Sequence, residues 1–258
     1  MKKLVKVLLW LAGIIVLGLA AIFYFTAPLT KSADEFFQAV KDNDMDKAYN
    51  YLSADFQAAS SKTDLLEFLS ANSITQFKEA NWDARSISGG RGKLTGSIQT
   101  NTGGVVPIAL EFVKADDGWK IYAIKKPLAG IQPESSSGQL PEENEQIKLV
   151  NDAMLVFVDC VSTQDMSGFH HHISNLWKQQ YSVTDLEDAF RQFYEIGADL
   201  KILQNYSPIF DQQPAINAEG VLTISGYYPT EPSQVHFTQK FIVEGLNWKL
   251  VSFSVDVR

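Results

Sequence analysis

The chain holds one cysteine in 258 residues, Cys160, so no intrachain disulfide can staple it even in an oxidising compartment. Basic residues are also scarce: 22 Lys and Arg face 30 Asp and Glu, and beyond residue 25 the count is 19 against 30. That deficit makes nucleic acid and anionic lipid headgroups poor partners. There is no Gly-x-Ser-x-Gly elbow, Walker loop, dinucleotide fingerprint or Cys-x-x-Cys. The usual nucleophile, phosphate-loop and redox chemistries are therefore absent as motifs, and no cofactor is called for. Disorder is excluded as well, because 45% apolar residues with 16 Phe, 9 Tyr and 5 Trp can bury enough surface to offset ordering entropy.

What is present first is a repeat. Residues 36–69 read onto 157–190 at a fixed offset of 121 with nine of 34 positions identical, including Phe36/Phe157, Val40/Val161, Asp44-Met45/Asp165-Met166, Ser53/Ser174 and Ser61-x-Thr63-Asp64-Leu65/Ser182-x-Thr184-Asp185-Leu186. The match resumes where Phe112-Val113 and Gly118-Trp119-Lys120-Ile121 meet Phe241-Ile242 and Asn247-Trp248-Lys249-Leu250. One domain type occurs twice.

Lys2, Lys3 and Lys6 precede nineteen uncharged residues, 7–25, that are apolar or Gly. As a helix the run covers roughly 29 Å, enough for a bilayer, with Phe23, Tyr24 and Phe25 as an aromatic belt. The expectation is a single-pass anchor in the cytoplasmic (inner) membrane, with the N-terminus inside and the C-terminal domains outside, in the periplasm. The lipid bilayer is then one partner, through residues 7–25. A cleaved signal peptide is the competing reading, since Gly18-Leu19-Ala20 is small-x-small.

Ser32-x-x-Glu35 reads as a capping box opening a first helix with Phe36, Phe37 and Val40 on one face. Met45, Ala48, Tyr49 and Leu52 form a second amphipathic helix, and Ser61-x-x-Asp64 starts a third. From residue 73 the period changes to alternation, with strands expected at 76–86, 94–100, 105–114 and 119–125. Gly89 to Gly92, Asn101 to Gly104 and Asp116-Asp117-Gly118 make antiparallel hairpins. The second copy predicts helices at 143–163, 165–179 and 184–194, then strands at 198–211, 218–228, 234–243 and 248–256. It holds 30 rather than 23 residues between the shared third helix and the strand matched at Gly92/Gly220, and the extra residues carry Pro208 and Pro214. The expected fold is α+β: an N-terminal transmembrane helix and then two repeated domains, each of about three helices on a curved four-stranded antiparallel sheet. The expected boundaries are 1–29 for the tip and anchor, 30–126 for the first domain, 127–143 for a Pro- and Ser-rich linker, and 144–258 for the second domain.

This order of elements, closing on Gly118-Trp119-Lys120-Ile121 or Asn247-Trp248-Lys249-Leu250, resembles the nuclear transport factor 2-like superfamily, particularly its small bacterial extracytoplasmic members. The resemblance covers both copies and implies helices packed over the concave face of a bent sheet as a cone with a pocket. Some members of that superfamily are enzymes, such as ketosteroid isomerase and polyketide cyclases, and many only bind. No catalytic residue maps onto this chain by motif.

The candidate residues are each weighed against a structural role. Asp64 and Asp185 complete helix starts, and Asp44 and Asp165 sit where a second helix is capped. His170, His171 and His172 point about 100° apart on a helix, so the three do not close on one metal; a packed imidazole is the favoured reading of His170, and a metal site made with His236 is the lesser alternative. Cys160 aligns with Ala39, as a small buried thiol would. Aromatic residues remain as possible ligand-binding, pocket-lining positions: Phe68, Trp82 and Phe112 in the first copy, and Trp177, Phe190, Phe193, Tyr227 and Phe241 in the second. The expected function is a non-catalytic binding or protein-interaction module of the cell envelope, with an envelope protein or a small apolar ligand as partner. The alternative is an isomerase, dehydratase or cyclase acting in the second domain, marked by an acid or His near Tyr181, Tyr194 or Tyr206. A cone filled by Phe and Trp argues against it.

Overall fold

The computed structural model describes residues 24–126, 140–195 and 200–258. The chain divides into two compact units, Met1–Ala129 and Gly130–Arg258, and each has its own helices and its own antiparallel sheet. The class is α+β.

In the first unit residues 24–41 are helical (α1) and bury Leu29, Ala33, Phe36, Phe37 and Val40 along one stripe. The helix therefore begins earlier than the capping box at Ser32 implies. Ser32 lies inside it and donates its hydroxyl to the Trp119 carbonyl at 2.8 Å, a tertiary bond rather than a cap. Among the described residues no helix is long and apolar enough to cross a membrane, so the expected transmembrane helix is withdrawn from the fold. Of the apolar run 7–25, only Tyr24 and Phe25 are described, and they belong to a helix that also carries Lys31, Asp34, Glu35 and Lys41 and packs on its own sheet. The remainder of that run and the linker up to residue 139 lie outside the described residues.

The expected second helix is split in both units. In the first, α2 (Met45–Tyr49) and α3 (Ala54–Ala59) flank an extended Leu52-Ser53, and α4 spans Lys62–Ala71. In the second, α5 (Glu143–Thr163) is followed by α6 (Ser167–His172), α7 (Asn175–Lys178) and α8 (Val183–Glu195), with Ile173-Ser174 extended between α6 and α7. The break has one cause in each copy. Leu52 forms a parallel bridge with Ile121, and Ile173 forms one with Leu250. The Ser53 amide donates to the Ile121 carbonyl at 2.9 Å, and the Ser174 amide donates to that of Leu250 at 2.8 Å. The same serines cap the next helix, with Ser53 Oγ accepting from Phe56 and Ser174 Oγ from Trp177, each at 3.1 Å. Among the described residues each unit thus has four α-helices rather than the expected three.

The first sheet runs β1 (Phe77–Ser88), β2 (Arg91–Thr100), β3 (Val105–Ala115) and β4 (Gly118–Lys125), all antiparallel neighbours in chain order. Gly89 and Gly90, at φ of 56° and 77°, make the tight two-residue turn between β1 and β2. The second sheet has five strands rather than the expected four. The single strand expected over 198–211 is replaced by a 3-10 helix at Leu200–Asn205 and two short strands, β5 (Ile209–Phe210) and β6 (Ala215–Ile216). Both pair with β7 (Leu222–Tyr228), which is followed by β8 (Val235–Glu244) and β9 (Asn247–Val257).

Register corrects the strand alignment. Gly92 faces Phe112, which faces Ile121; Leu222 faces Phe241, which faces Leu250. Gly92 is therefore equivalent to Leu222, not Gly220. A Cβ on Gly92 would sit 2.7 Å from Leu29 Cδ2, so a large helix residue fills the space that Leu222 fills for itself in the second unit. The true glycine pair is Gly96 and Gly226. A Cβ there would lie 1.9 Å from the Asn81 carbonyl oxygen, or 2.1 Å from that of Ile209. Beside each glycine the outer strand is irregular: β1 bulges between Trp82 and Ala84, and in the second unit the interruption grows into the segment Asp211–Pro214 between β5 and β6. The last strand is also bulged at one equivalent place, opposite Glu111/Phe112 and opposite Lys240/Phe241. Paired bulges bend a sheet towards the side its helices cover.

Because neither backbone can move without breaking the ladder, Gly96→Ala and Gly226→Ala are each expected to destabilise their own unit by about 1–3 kcal/mol in urea unfolding, the usual cost of overpacking. Gly104→Ala, which would meet mainly the Thr100 hydroxyl at 3.0 Å, is expected to cost clearly less.

Candidate functional site

The second unit differs from the first mainly in its interior. Phe157 on α5, Phe169 on α6, Phe190 on α8 and Phe253 on β9 have ring centroids 4.9 to 6.0 Å apart in all their pairings. Phe193 joins at 5.4 Å from Phe157, and Trp177 at 6.1 Å from Phe169. Most of these pairs are edge-to-face, the arrangement that aromatic quadrupoles favour. At the equivalent positions of the first unit stand Phe36, Ala48, Leu69 and Ile124. The rings thus pack on one another between helices and sheet in the second unit.

The proposed lining residues separate accordingly. Trp177, Phe190 and Phe193 belong to this ring cluster, and Phe241 is buried in the row with Leu222 and Leu250. Tyr227 does not face the interior: β7 alternates, with Leu222, Ile224 and Tyr228 inside, and Tyr227 stacks on His236 at 5.4 Å on the other face. In the first unit Phe112 is buried, while Phe68 and Trp82 are half-buried. Trp82 packs 6.3 Å from Phe37 and donates its indole N–H to Asp34 at 3.2 Å, and among the described residues no ring contact joins Phe68, Trp82 and Phe112. Burial raises the Asp34 carboxyl despite that bond. Phe169 and Phe253 were missed in the sequence; Phe253 alternates in step with Leu250-x-x, beyond the bulge, which hides its face.

The polar side chains that enter the two interiors differ. Tyr228 donates its hydroxyl to Asn151 Oδ1 at 2.7 Å, and Gln239 donates Nε2 to the Val150 carbonyl at 3.3 Å. Gln239 is fully buried, and its Oε1 has no hydrogen-bond partner; neither has the buried Tyr194 hydroxyl. The first unit carries Ile98, Thr30, Leu110 and Ser73 at the positions of Tyr228, Asn151, Gln239 and Tyr194. Burial pushes the phenols of Tyr228 and Tyr194 upward. The titratable groups acting on Tyr194 are Glu187, Cys160 and Asp165, and Asp165 is exposed and accepts the Ser167 amide at 2.8 Å. No deeply buried acid or His stands beside that tyrosine among the described residues.

The repeated aspartates act as caps. Asp64 accepts the Ser61 amide at 2.8 Å and Asp185 that of Ser182 at 2.7 Å, while each serine hydroxyl accepts the aspartate's own amide. The Ser61 backbone and hydroxyl hold Asp64 below the usual carboxylate range, and the Ser182 hydroxyl and backbone do so for Asp185. Asp44 accepts the Lys47 amide at 3.0 Å. Tyr49 donates its hydroxyl to the Ser60 carbonyl at 2.9 Å, and His170 meets the equivalent carbonyl, Tyr181, through Nε2 at 3.1 Å. The imidazole therefore replaces a tyrosine's hydrogen bond. Cys160 is buried, and desolvation raises its thiol even though Sγ accepts the Phe169 amide at 3.2 Å, so burial keeps its reactivity low. Among the described residues no three His, Cys, Asp or Glu side chains are placed to hold a metal ion.

His172 is half-buried at the end of α6. Desolvation, followed by the Lys249 charge, lowers its pKa from 6.5. A His with a depressed folded pKa contributes stability that is present above its unfolded pKa, about 6.5, and is lost as pH falls through the folded value. The unfolding free energy is thus expected to decline from about pH 6.5 downward in urea titrations, and His172→Gln is expected to flatten that decline above the carboxylate range.

No protein-family model and no curated protein matches this sequence. Among solved structures the chain is similar to a cystatin-like protein from Ruminococcus gnavus ATCC 29149, with 12% identity, 92% of each chain covered and a TM-score of 0.32. An overlay of that quality carries no functional inference, and the α+β assignment rests on the order and pairing of the elements themselves.

Proposed function

We propose that this protein is a non-catalytic binding or protein-interaction module of the cell envelope, working outside the cytoplasm, in which the first unit is chiefly scaffold and the second carries the recognition. The observation that supports this reading is the mutual packing of Phe157, Phe169, Phe190 and Phe253. A pocket enzyme of isomerase, dehydratase or cyclase type needs a space beside its acid or base, and here phenylalanine rings occupy the centre of the second unit. Recognition then falls to the surface of that unit. The extracytoplasmic placement rests on the residue pattern of 1–25, and the cone-like order of helices and sheet resembles the nuclear transport factor 2-like superfamily, many of whose members only bind.

The test is an apolar probe of the interior. The native chain is expected to give no saturable fluorescence with 8-anilinonaphthalene-1-sulfonate, whereas Phe190→Ala, which removes a ring from the cluster, is expected to bind it and to lose about 2–4 kcal/mol of stability. Stoichiometric binding of the probe to the unmutated native chain contradicts a filled interior, and with it the non-catalytic reading.

A further inference from the structure

We propose that His172, Lys178 and Lys249 of the second unit form a binding site for an oxyanion, a phosphate or carboxylate group on a small ligand. The proposal names a chemistry for the surface of that unit and stands whether or not the interior is filled.

The three residues are brought together by the backbone pair that splits the second helix. Ile173 bridges Leu250 in parallel, so the residues one step earlier, His172 and Lys249, project to the same side of that short ladder. Ser174 locks the register with its amide on the Leu250 carbonyl at 2.8 Å. Lys178 lies one helical turn beyond Asn175 on α7, whose amide is held by Glu244 Oε2 at 2.9 Å. Glu244 is 1% exposed and forms the floor of the group, anchoring α7 against the β8–β9 hairpin. Lys249 acts electrostatically on both His172 and Lys178, and Lys178 also feels Glu244. The remaining charges that reach His172 are Asp152, already bound by Lys148 at 2.6 Å, and His171.

Charge in this group is unbalanced. Among the described residues none of His172, Lys178 and Lys249 enters a salt bridge. Residues 130–258 contain seven Lys and Arg against seventeen Asp and Glu, and two of those seven stand here. The other copy shows the contrast. At the same positions it has Tyr51, Gln57 and Lys120, with Ala115 in place of Glu244. Its single lysine is spent on the Asp117 carboxylate at 2.7 Å and the Asn50 carbonyl at 2.8 Å. The second unit alone sets two lysines and a histidine above a buried carboxylate; burial is the main cause that lowers His172 and Lys178, the Lys249 charge adds to it, and Glu244 opposes it at Lys178.

The experiment follows the His172 ring resonances of the full chain by NMR while inorganic phosphate, and in a second arm acetate, replaces chloride at constant ionic strength. Expected is a saturable response to at least one oxyanion, with the pKa of His172 rising as the anion binds. Lys178→Gln and Lys249→Gln are each expected to weaken that binding about tenfold, the worth of one charge-assisted hydrogen bond. Lys240→Gln, on the exposed face of β8, is expected to leave it unchanged. A response to phosphate alone or to either ion supports the site and identifies which group it takes. No response beyond that to chloride, or a response that survives loss of both lysines, overturns it.

Discussion

Two backbone ladders of minimal length hold this protein in its shape: Leu52-Ser53 against Ile121 and Ile173-Ser174 against Leu250. Each joins the helical layer of a unit to the last strand of its sheet by main-chain hydrogen bonds, which a packed apolar face alone does not direct. The pairing requires an extended dipeptide in what is otherwise helical sequence, and a capping serine then lets the helix resume. Everything downstream depends on this placement. It sets α3 and α7 on the hairpin formed by the last two strands, aligns the core rows through Phe112 and Phe241, and in the second unit positions His172 beside Lys249.

The sheets meet this constraint by bending at matching points. A bulge in the last strand and an irregular outer strand recur in both copies, and Gly96 and Gly226 allow the neighbouring backbone to approach where any side chain would collide. The two copies diverge mainly in what fills the resulting concavity. The first packs Phe36, Phe37, Phe77 and Trp82 among aliphatic residues, with Leu29 reaching under Gly92, whereas the second groups four mutually packed phenylalanines with the buried Gln239 and Tyr228. Among the described residues, both copies pack aromatic rings between helices and sheet, and the second adds the four-phenylalanine group and the buried amide of Gln239.

Much of this was legible in the sequence because it is local. The capping pairs Ser61/Asp64 and Ser182/Asp185, the Gly89-Gly90 turn and the alternation of β2, β7 and β8 all act over a few residues, and all appear in the structure. What the sequence concealed is non-local. Met45 to Leu52 has helical periodicity, and only its pairing with β4 shows that the last residues are extended. Ser32 looks like a cap until its hydroxyl is seen on the Trp119 carbonyl. Tyr227 reads as a possible lining residue from its type alone, but the phase of β7 is set by Ile224 and Tyr228. Likewise the cationic group is scattered over α6, α7 and β9, and no spacing in the chain announces it.

Amide hydrogen exchange at Ser53, Ser174 and Ile121 tests the central constraint most directly. If the short ladders lock helices to sheets, these three amides, which donate to Ile121, Leu250 and Tyr51 at 2.8 to 2.9 Å, exchange as slowly as the interior of β2 and β7. Exchange as fast as at the Asn101–Gly104 turn, with the sheet interiors still protected, would show that the two layers are held by side-chain packing alone.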